Sequence, residues 1–454
     1  MKSGNNKRRW LFIAALFPAL VTVAQQRDTA KITRHEFSVK QAVDYAKKNN
    51  VNVKNALLDV QIQQQTNREV TSSAFPQISG SASYTANTQL PASIVPASFF
   101  TPGADGFLKL PPFGLKYNAS FGAELNQLLF DGQVFVGLQA RRTILEFQQK
   151  NTEITEEMIK VNIYKIYYQL VVSKRQIELL DANIERIGKL LHDTKEIYKA
   201  GFAEQLDIDK VNVGLVNLQT EKTRALNQIA NGYLALKVLM GMPVQDELVL
   251  TDELDESQIK TGVLDAATFS FTDRKEYQYA NLGIKLNVYN IRRYKLSKIP
   301  TLSLNAYINR VSQASHFNLQ DGFSFPVSAI SVRLHVPIFT GFSTNSKIQK
   351  AKYELEKSIN QRSALELSIN NEIETAKNNF NTAISALDFQ RRNMDLAEKV
   401  YQQTKKKYEM GTGSQTEINT AQTDLKAAQT NYITALYDAI IARVDFLKAT
   451  GKLD

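Results

Sequence analysis

Two kinds of hydrophobic spacing alternate along this chain, and they alternate in the same order twice. A helix is predicted over 39–73 and another over 273–297. They end in "SSAFPQIS" and "LSKIPTLS", where Pro76 and Pro300 lie 224 positions apart. Proline pushes its predecessor toward extended geometry, so each helix stops there and β structure begins. Strict alternation follows. In "QISGSASYTAN" one face carries Ile78, Gly80, Ala82, Tyr84 and Ala86; in "TLSLNAYIN" it carries Leu302, Leu304, Ala306 and Ile308. The partner strands place Tyr117, Ala119, Phe121, Ala123 and Leu125, then Ile330, Val332, Leu334 and Val336, on one side. Period 2 over about ten residues fits a tilted membrane strand, apolar toward lipid and polar toward a lumen. A soluble half-buried sheet gives the same alternation. On the polar faces, Glu124, Arg333 and His335 are expected to look into the lumen, while Tyr84, Tyr117, Phe121 and Phe130 supply an aromatic girdle.

Between the paired strands, "TQLPASIVPASFFTPGADGFLKLPPFGLK" and the shorter "VSQASHFNLQDGFSFP" read as surface loops. Both hairpins, 77–130 and 301–339, leave through a shared phrase, "LLFDG" and "PIFTG". Very long helices follow. Residues 134–199 would span roughly 100 Å, and 343–409 is their counterpart. Ile177, Leu180, Ile184, Ile187 and Leu191 step by 3 and 4, the seam of a left-handed coiled coil. Leu387, Met394, Ala397 and Tyr401 occupy matching places in the second copy.

Each long helix ends in the same corner. "YKAGFAEQLDIDKVNVGL" (198–215) and "YEMGTGSQTEINTAQTDL" (408–425) superpose at an offset of 210: Tyr on Tyr, Gly201 on Gly411, Gln on Gln, Ile on Ile. The glycines suit the backbone reversal. The returning helices end at Gly241 and Gly451, again 210 apart. The expected organisation is a first repeat over 25–241, with its helical hairpin at 134–241, a linker over 242–272, and a second repeat over 273–454, with its helical hairpin at 343–450.

The first 24 residues read as an export leader: Lys2, Lys7, Arg8 and Arg9, an 11-residue apolar run from Trp10 to Leu20 interrupted by Pro18, then small residues at Thr22-Val23-Ala24. A retained N-terminal anchor is the alternative. Without the leader the net charge falls from +10 to +6, the balance of a solvated surface, and no nucleic-acid partner is expected. There is no cysteine, so no disulfide, and beyond the leader no stretch approaches the length of a spanning helix. The four histidines are scattered, and no phosphate-cradling loop, G-x-S-x-G or His-nucleophile pairing exists. Neither an enzyme nor a cofactor or metal is expected.

Four strands cannot close a sheet in lipid, where every unpaired N–H and C=O costs several kcal/mol. Barrels of this kind start at about eight strands, so partner chains are required: two give eight strands, three give twelve. The helical hairpins, too long to bury themselves, would continue the barrel as a conduit. The rival is a soluble periplasmic structural or binding protein with coiled-coil arms.

The leading helix ending in "FPQISGSASY", two unequal β-hairpins, two helical hairpins with a Y-x-x-G corner, and the ending "RVDFLKATGKL" resemble the TolC-like outer-membrane efflux proteins over about residues 37–453. The resemblance implies an α+β membrane protein and a homotrimer. Its outer-membrane barrel of 12 strands, four per chain, would stand in outer-membrane lipid above a periplasmic tunnel of helices. It also implies passive export in a tripartite efflux pump or type I secretion system, with a periplasmic adaptor (membrane fusion) protein and an inner-membrane transporter of RND, ABC or MFS type. Carried over residue by residue, the acidic ring at the periplasmic aperture falls on Glu417 and Thr420, so the first acid is kept and the second is absent. The aperture-closing link falls on Tyr408 and Asp207; an arginine that adds a second link in the family falls on Gly413. The corners at Gly201 and Gly411 are the implied adaptor-docking tips.

Overall fold

The computed structural model describes residues 33–90, 92–111, 114–253, 259 and 269–453. The expected leader and much of the linker lie outside the described residues. Strand β1 (Arg34–Phe37) enters helix α1 (Val39–Asn49) through a capping box: Ser38 N donates to Gln41 Oε1 (2.8 Å) and Gln41 N to Ser38 Oγ (3.3 Å). The helix expected to run unbroken over 39–73 instead divides at Asn50, and α2 covers Val51–Ser72. Asn50 is extended (φ −61°, ψ 132°) and its Oδ1 accepts from Asn52 N and Val53 N, while its Nδ2 donates to Leu239 O at 2.6 Å. An asparagine side chain that serves the next turn's amides competes with the helical ladder, and here it wins.

After Pro76 the chain forms β2 (Gln77–Ala86). A short ribbon, β3 (Ile94–Pro96) with β4 (Phe107–Lys109), stands inside the stretch that reads as a loop; three-residue strands carry no usable period. Then come β5 (Tyr117–Phe130), α3 (Gly132–Lys199), α4 (Gln205–Met240), β6 (Glu247–Leu250) and α5 (Lys275–Leu296). The remainder is β7 (Thr301–Ala314), β8 (Phe323–His335), α6 (Ser343–Glu409) and α7 (Gln415–Ala449). Helix α3 begins before Val134 because Asp131 caps it, its Oδ1 accepting from Gln133 N at 2.7 Å. The second hairpin is longer at its tip than the sequence suggests: Val311 pairs with Phe325 and Gln313 with Phe323, leaving only residues 315–322 as the turn. At its base β8 stops at His335 rather than continuing to 339, where Pro337 can donate no ladder bond.

The four long strands form one sheet in the order β2-β5-β7-β8, antiparallel throughout. Gly122 makes the β5–β7 seam so close that an added Cβ would lie 2.2 Å from Ile308 O. Separately, β1 and β6 pair in parallel over a core of Val43, Ala46, Val53, Ile163, Leu236 and Met240. Tyr167, fully buried there, donates its hydroxyl to Phe37 O at 2.9 Å.

In the half of the helical body nearer the corners, α3 packs on both α4 and α7, and α7 packs on α6. Nearer the sheet, α3 packs on α2 and α5, and α5 on α6. One buried cation ties the start of α5 to the end of α7. Arg274, 3% exposed, donates to Ala449 O, Glu372 Oε2 and Glu276, and Lys448 also reaches Glu372 at 2.7 Å.

Candidate functional site: sheet faces and helical corners

The sheet's two faces differ in chemistry, and the register shows how. One face stacks Ile78, Leu125, Ala306 and Ile330 in a row, with Leu304 beside Val332 and Leu302 beside Leu334. Much of it is exposed: Ile78 is 76% accessible and Ile330 79%. The opposite face lines up Gln77, Asn126, Asn305 and Ser331. Glu124 lies on this polar face, opposite Ser79 and Tyr307; Arg333 lies opposite Ser303 and His335 opposite Thr301. Toward the hairpin tips Tyr84, Tyr117 and Phe317 cluster, with centroids 5.6–6.3 Å apart. One charge sits on the apolar face there: Arg310, in register with Phe121 and Pro326, donates from Nε to Ser324 Oγ at 2.9 Å. Sequence reasoning missed Arg310 because the strand was followed only to Asn309.

At the other end of the molecule the two corners use the same devices. Gly201 (φ 84°) and Gly411 (φ 73°) take the left-handed conformation that reverses the chain. Each returning helix then starts with a reciprocal cap. Glu204 N donates to Asp207 Oδ2 (3.2 Å), and Ser414 N donates to Glu417 Oε2 (3.3 Å), with Glu417 N donating to Ser414 Oγ. Thr420 lies one turn on, exposed, its hydroxyl donating to Thr416 O. Tyr408 packs half-buried against the core shared by the two helical hairpins. Among the described residues it makes no hydrogen bond within this chain to Asp207, whose carboxylate faces Glu204 N and, at 3.9 Å, Lys210.

That shared core holds Leu180, Ile187 and Leu191 of α3, Val211 and Leu218 of α4, Tyr401 of α6, and Ile418 and Leu425 of α7. A polar cluster is set into the α3–α7 contact. Asn183, 2% exposed, donates to Gln429 Oε1 at 2.7 Å and accepts from Gln422 Nε2 at 3.0 Å. Nearby Arg186 pairs with Glu398 at 2.9 Å and lies over the Tyr401 ring, whose phenol is pushed up by burial. Polar residues buried in a helical seam fix register at some cost in stability. Gln422 and Gln429, a heptad apart among Ile418 and Leu425, were the available signal.

Among the described residues no three His, Asp or Glu side chains group to hold a metal, and no helix is long and apolar enough to cross a membrane. What the arrangement offers is surface: an apolar sheet face, a polar sheet face, and long helices meeting in capped corners.

Comparison with known proteins agrees with this architecture. TolC of Vibrio cholerae is 21% identical over 341 residues, covering 74% of this chain and 77% of its own. The Campylobacter jejuni CmeC outer membrane channel superposes with a TM-score of 0.72 at 17% identity, covering 91% of this chain and 86% of that one. The outer membrane protein VceC of V. cholerae gives 0.70 at 14%, covering 91% and 96%. Residues 42–242 and 278–452 match the outer membrane efflux protein family, and the chain belongs to that family.

Proposed function

We propose that this protein is the exit channel through which an efflux or type I secretion system passes its cargo across the outer membrane. Family membership and outer-membrane relatives support that location and role. The observation that carries the reading is the sheet: an exposed apolar face in register across four strands, with the outer edges of β2 and β8 unpaired among the described residues. In lipid such edges must be satisfied. Because β2 and β8 run in opposite directions, β8 of one copy meets β2 of the next antiparallel, and three copies close twelve strands. Unpartnered apolar positions on the outer helices fit the same assembly. Leu206, Val213 and Leu234 on α4 and Phe389 and Leu396 on α6 are exposed at multiples of seven residues, the spacing of a seam awaiting a helix.

In that assembly the two repeats contribute equivalent hairpins to the barrel and to a helical conduit in the periplasm. Glu124, Arg333 and His335 line the lumen. Glu417 forms the acidic ring of the aperture with Thr420 behind it, and Tyr408 reaches Asp207 across the corners to hold it closed. The tips at Gly201 and Gly411 receive the periplasmic adaptor, and an inner-membrane transporter supplies the energy. The test uses the absence of native cysteine. Cysteines introduced along β2 and β8 of the full chain are oxidised in membranes, and planar bilayers are scanned for conductance. Cross-linking that stops at three chains, with discrete conductance steps, is expected. A cysteine-paired protein that stays monomeric and never conducts ends the reading.

A further inference from the structure

The charges at the junction of sheet and helices are lopsided. In the last turns of α5 and the link to β7 stand Arg292, Arg293, Lys295 and Lys298, all exposed, and Lys347 lies in the second turn of α6. None of the five has a carboxylate partner among the described residues. Arg292 donates to Gln139 Oε1, Arg293 to its neighbour Tyr294, and Lys298 to Asn345 Oδ1 at 2.7 Å. Some cations further along the helices do pair with acids, as in Lys165–Asp445 and Lys222–Asp181.

Lys298 also lines a cavity of about 230 Å³ whose other walls include Ile338, Phe339 and Phe342. Those three are 93%, 74% and 69% exposed. They lie in the connection that leaves β8 after His335, just beyond the end of the apolar stripe of Ile330, Val332 and Leu334. The cations therefore gather at the foot of the lipid-facing stripe, where hydrocarbon gives way to headgroups. A cationic cluster beside a membrane-spanning segment attracts anionic lipid at about 1 kcal/mol per side chain, a factor of about five in affinity.

We propose that this collar binds the phosphate headgroups of anionic glycerophospholipids in the leaflet facing the helices, with Ile338, Phe339 and Phe342 against the acyl chains. The inference rests on the sheet being membrane-spanning. Full-length protein is offered phosphatidylglycerol and phosphatidylcholine in equal amounts, and retained lipid is counted by native mass spectrometry. Insertion into phosphatidylcholine vesicles is followed in parallel. The wild type is expected to prefer phosphatidylglycerol. Arg293→Gln/Lys295→Gln/Lys298→Gln loses about fivefold of that preference per charge at low salt. The charge-conserving Arg293→Lys/Lys298→Arg keeps it, and so does Lys189→Gln/Lys195→Gln/Lys199→Gln at the far end of α3.

Equal retention of the two lipids by the wild type overturns the proposal, as does an undiminished preference in the triple variant. If that variant instead changes only the ion selectivity of the open channel, the cations line the conduit and the lipid assignment fails. In each of these cases insertion into phosphatidylcholine vesicles persists and the channel reading stands. A protein that inserts into no vesicle fails both.

Discussion

Asn50 joins three elements: its backbone N–H closes α1 on Ala46 O, while its side chain starts α2 and ties it to the end of α4 through Leu239 O. Asn50→Ala removes two cap bonds from a 5%-exposed site, a loss of about 1–2 kcal/mol. Faster hydrogen exchange at the amides of Asn52 and Val53 is the expected readout; unchanged exchange would show the helix break is set elsewhere. The charged group around Arg274 makes a prediction in pH. Burial opposes ionisation of Glu372 and Glu276, yet Lys448 and Arg274 hold both carboxyls below the ordinary value of 4.5. Their stabilisation is complete above that value and is lost as pH falls through the lower native values. Glu157 behaves oppositely, pushed up by burial and by Glu276. Its ionised form burdens the fold at neutral pH, so Glu157→Gln should raise the melting midpoint at pH 7. The gain should vanish below about pH 4, where the wild-type carboxyl is protonated folded and unfolded alike.

At the scale of elements, the fold depends on β5 meeting β7, since among the described residues that pairing alone joins the two hairpins into one sheet. An added Cβ at Gly122 would meet Asn309 Cα at 2.7 Å as well as Ile308 O. Gly122→Ala is therefore expected to separate the hairpins and sharply reduce the yield of membrane-inserted protein in cell fractionation. Full insertion would mean the seam can move aside.

The elements themselves were largely legible in the sequence. Pro76 and Pro300 mark where helix becomes strand, alternation separates the sheet faces, and positions such as Leu180, Ile187 and Leu191 do enter the helical core. What was not legible shares a physical cause: partners distant in the chain. Asn50 reads as a tolerable helical residue until Leu239 O is beside it. Val311–Gln313 are paired by β8 and Ala314 by β5, although their own alternation is blunted by Ser312 and Gln313. The parallel pairing of β1 with β6 joins segments more than 200 residues apart. The candidate site divides the same way. Glu417 and Asp207 could be placed on their helices, but their capping hydrogen bonds belong to local geometry that spacing alone leaves open; Arg310 lay one residue past the alternation that was followed, and Asn183 is explained only by its distant partners Gln422 and Gln429.

For the whole molecule, the proposed aperture is the point where the corners would act together. If Tyr408 of one hairpin and Asp207 of another hold the entrance closed, Tyr408→Phe/Asp207→Ala should conduct more than wild type in planar bilayers. Equal conductance would leave closure to packing such as the Asn183–Gln422–Gln429 cluster. The opposed directions of β2 and β8 carry a consequence of their own. Every copy delivers an even count of strands beginning upward and finishing downward, so inserting or removing a copy never places two like-directed strands side by side. In the proposed barrel, bore width would thus be decoupled from the ribbon and fall to the helices, whose seams would choose how many neighbours fit. Chains of the same lineage with matching rims could interleave in a single ring, and copies fused end to end would still close it.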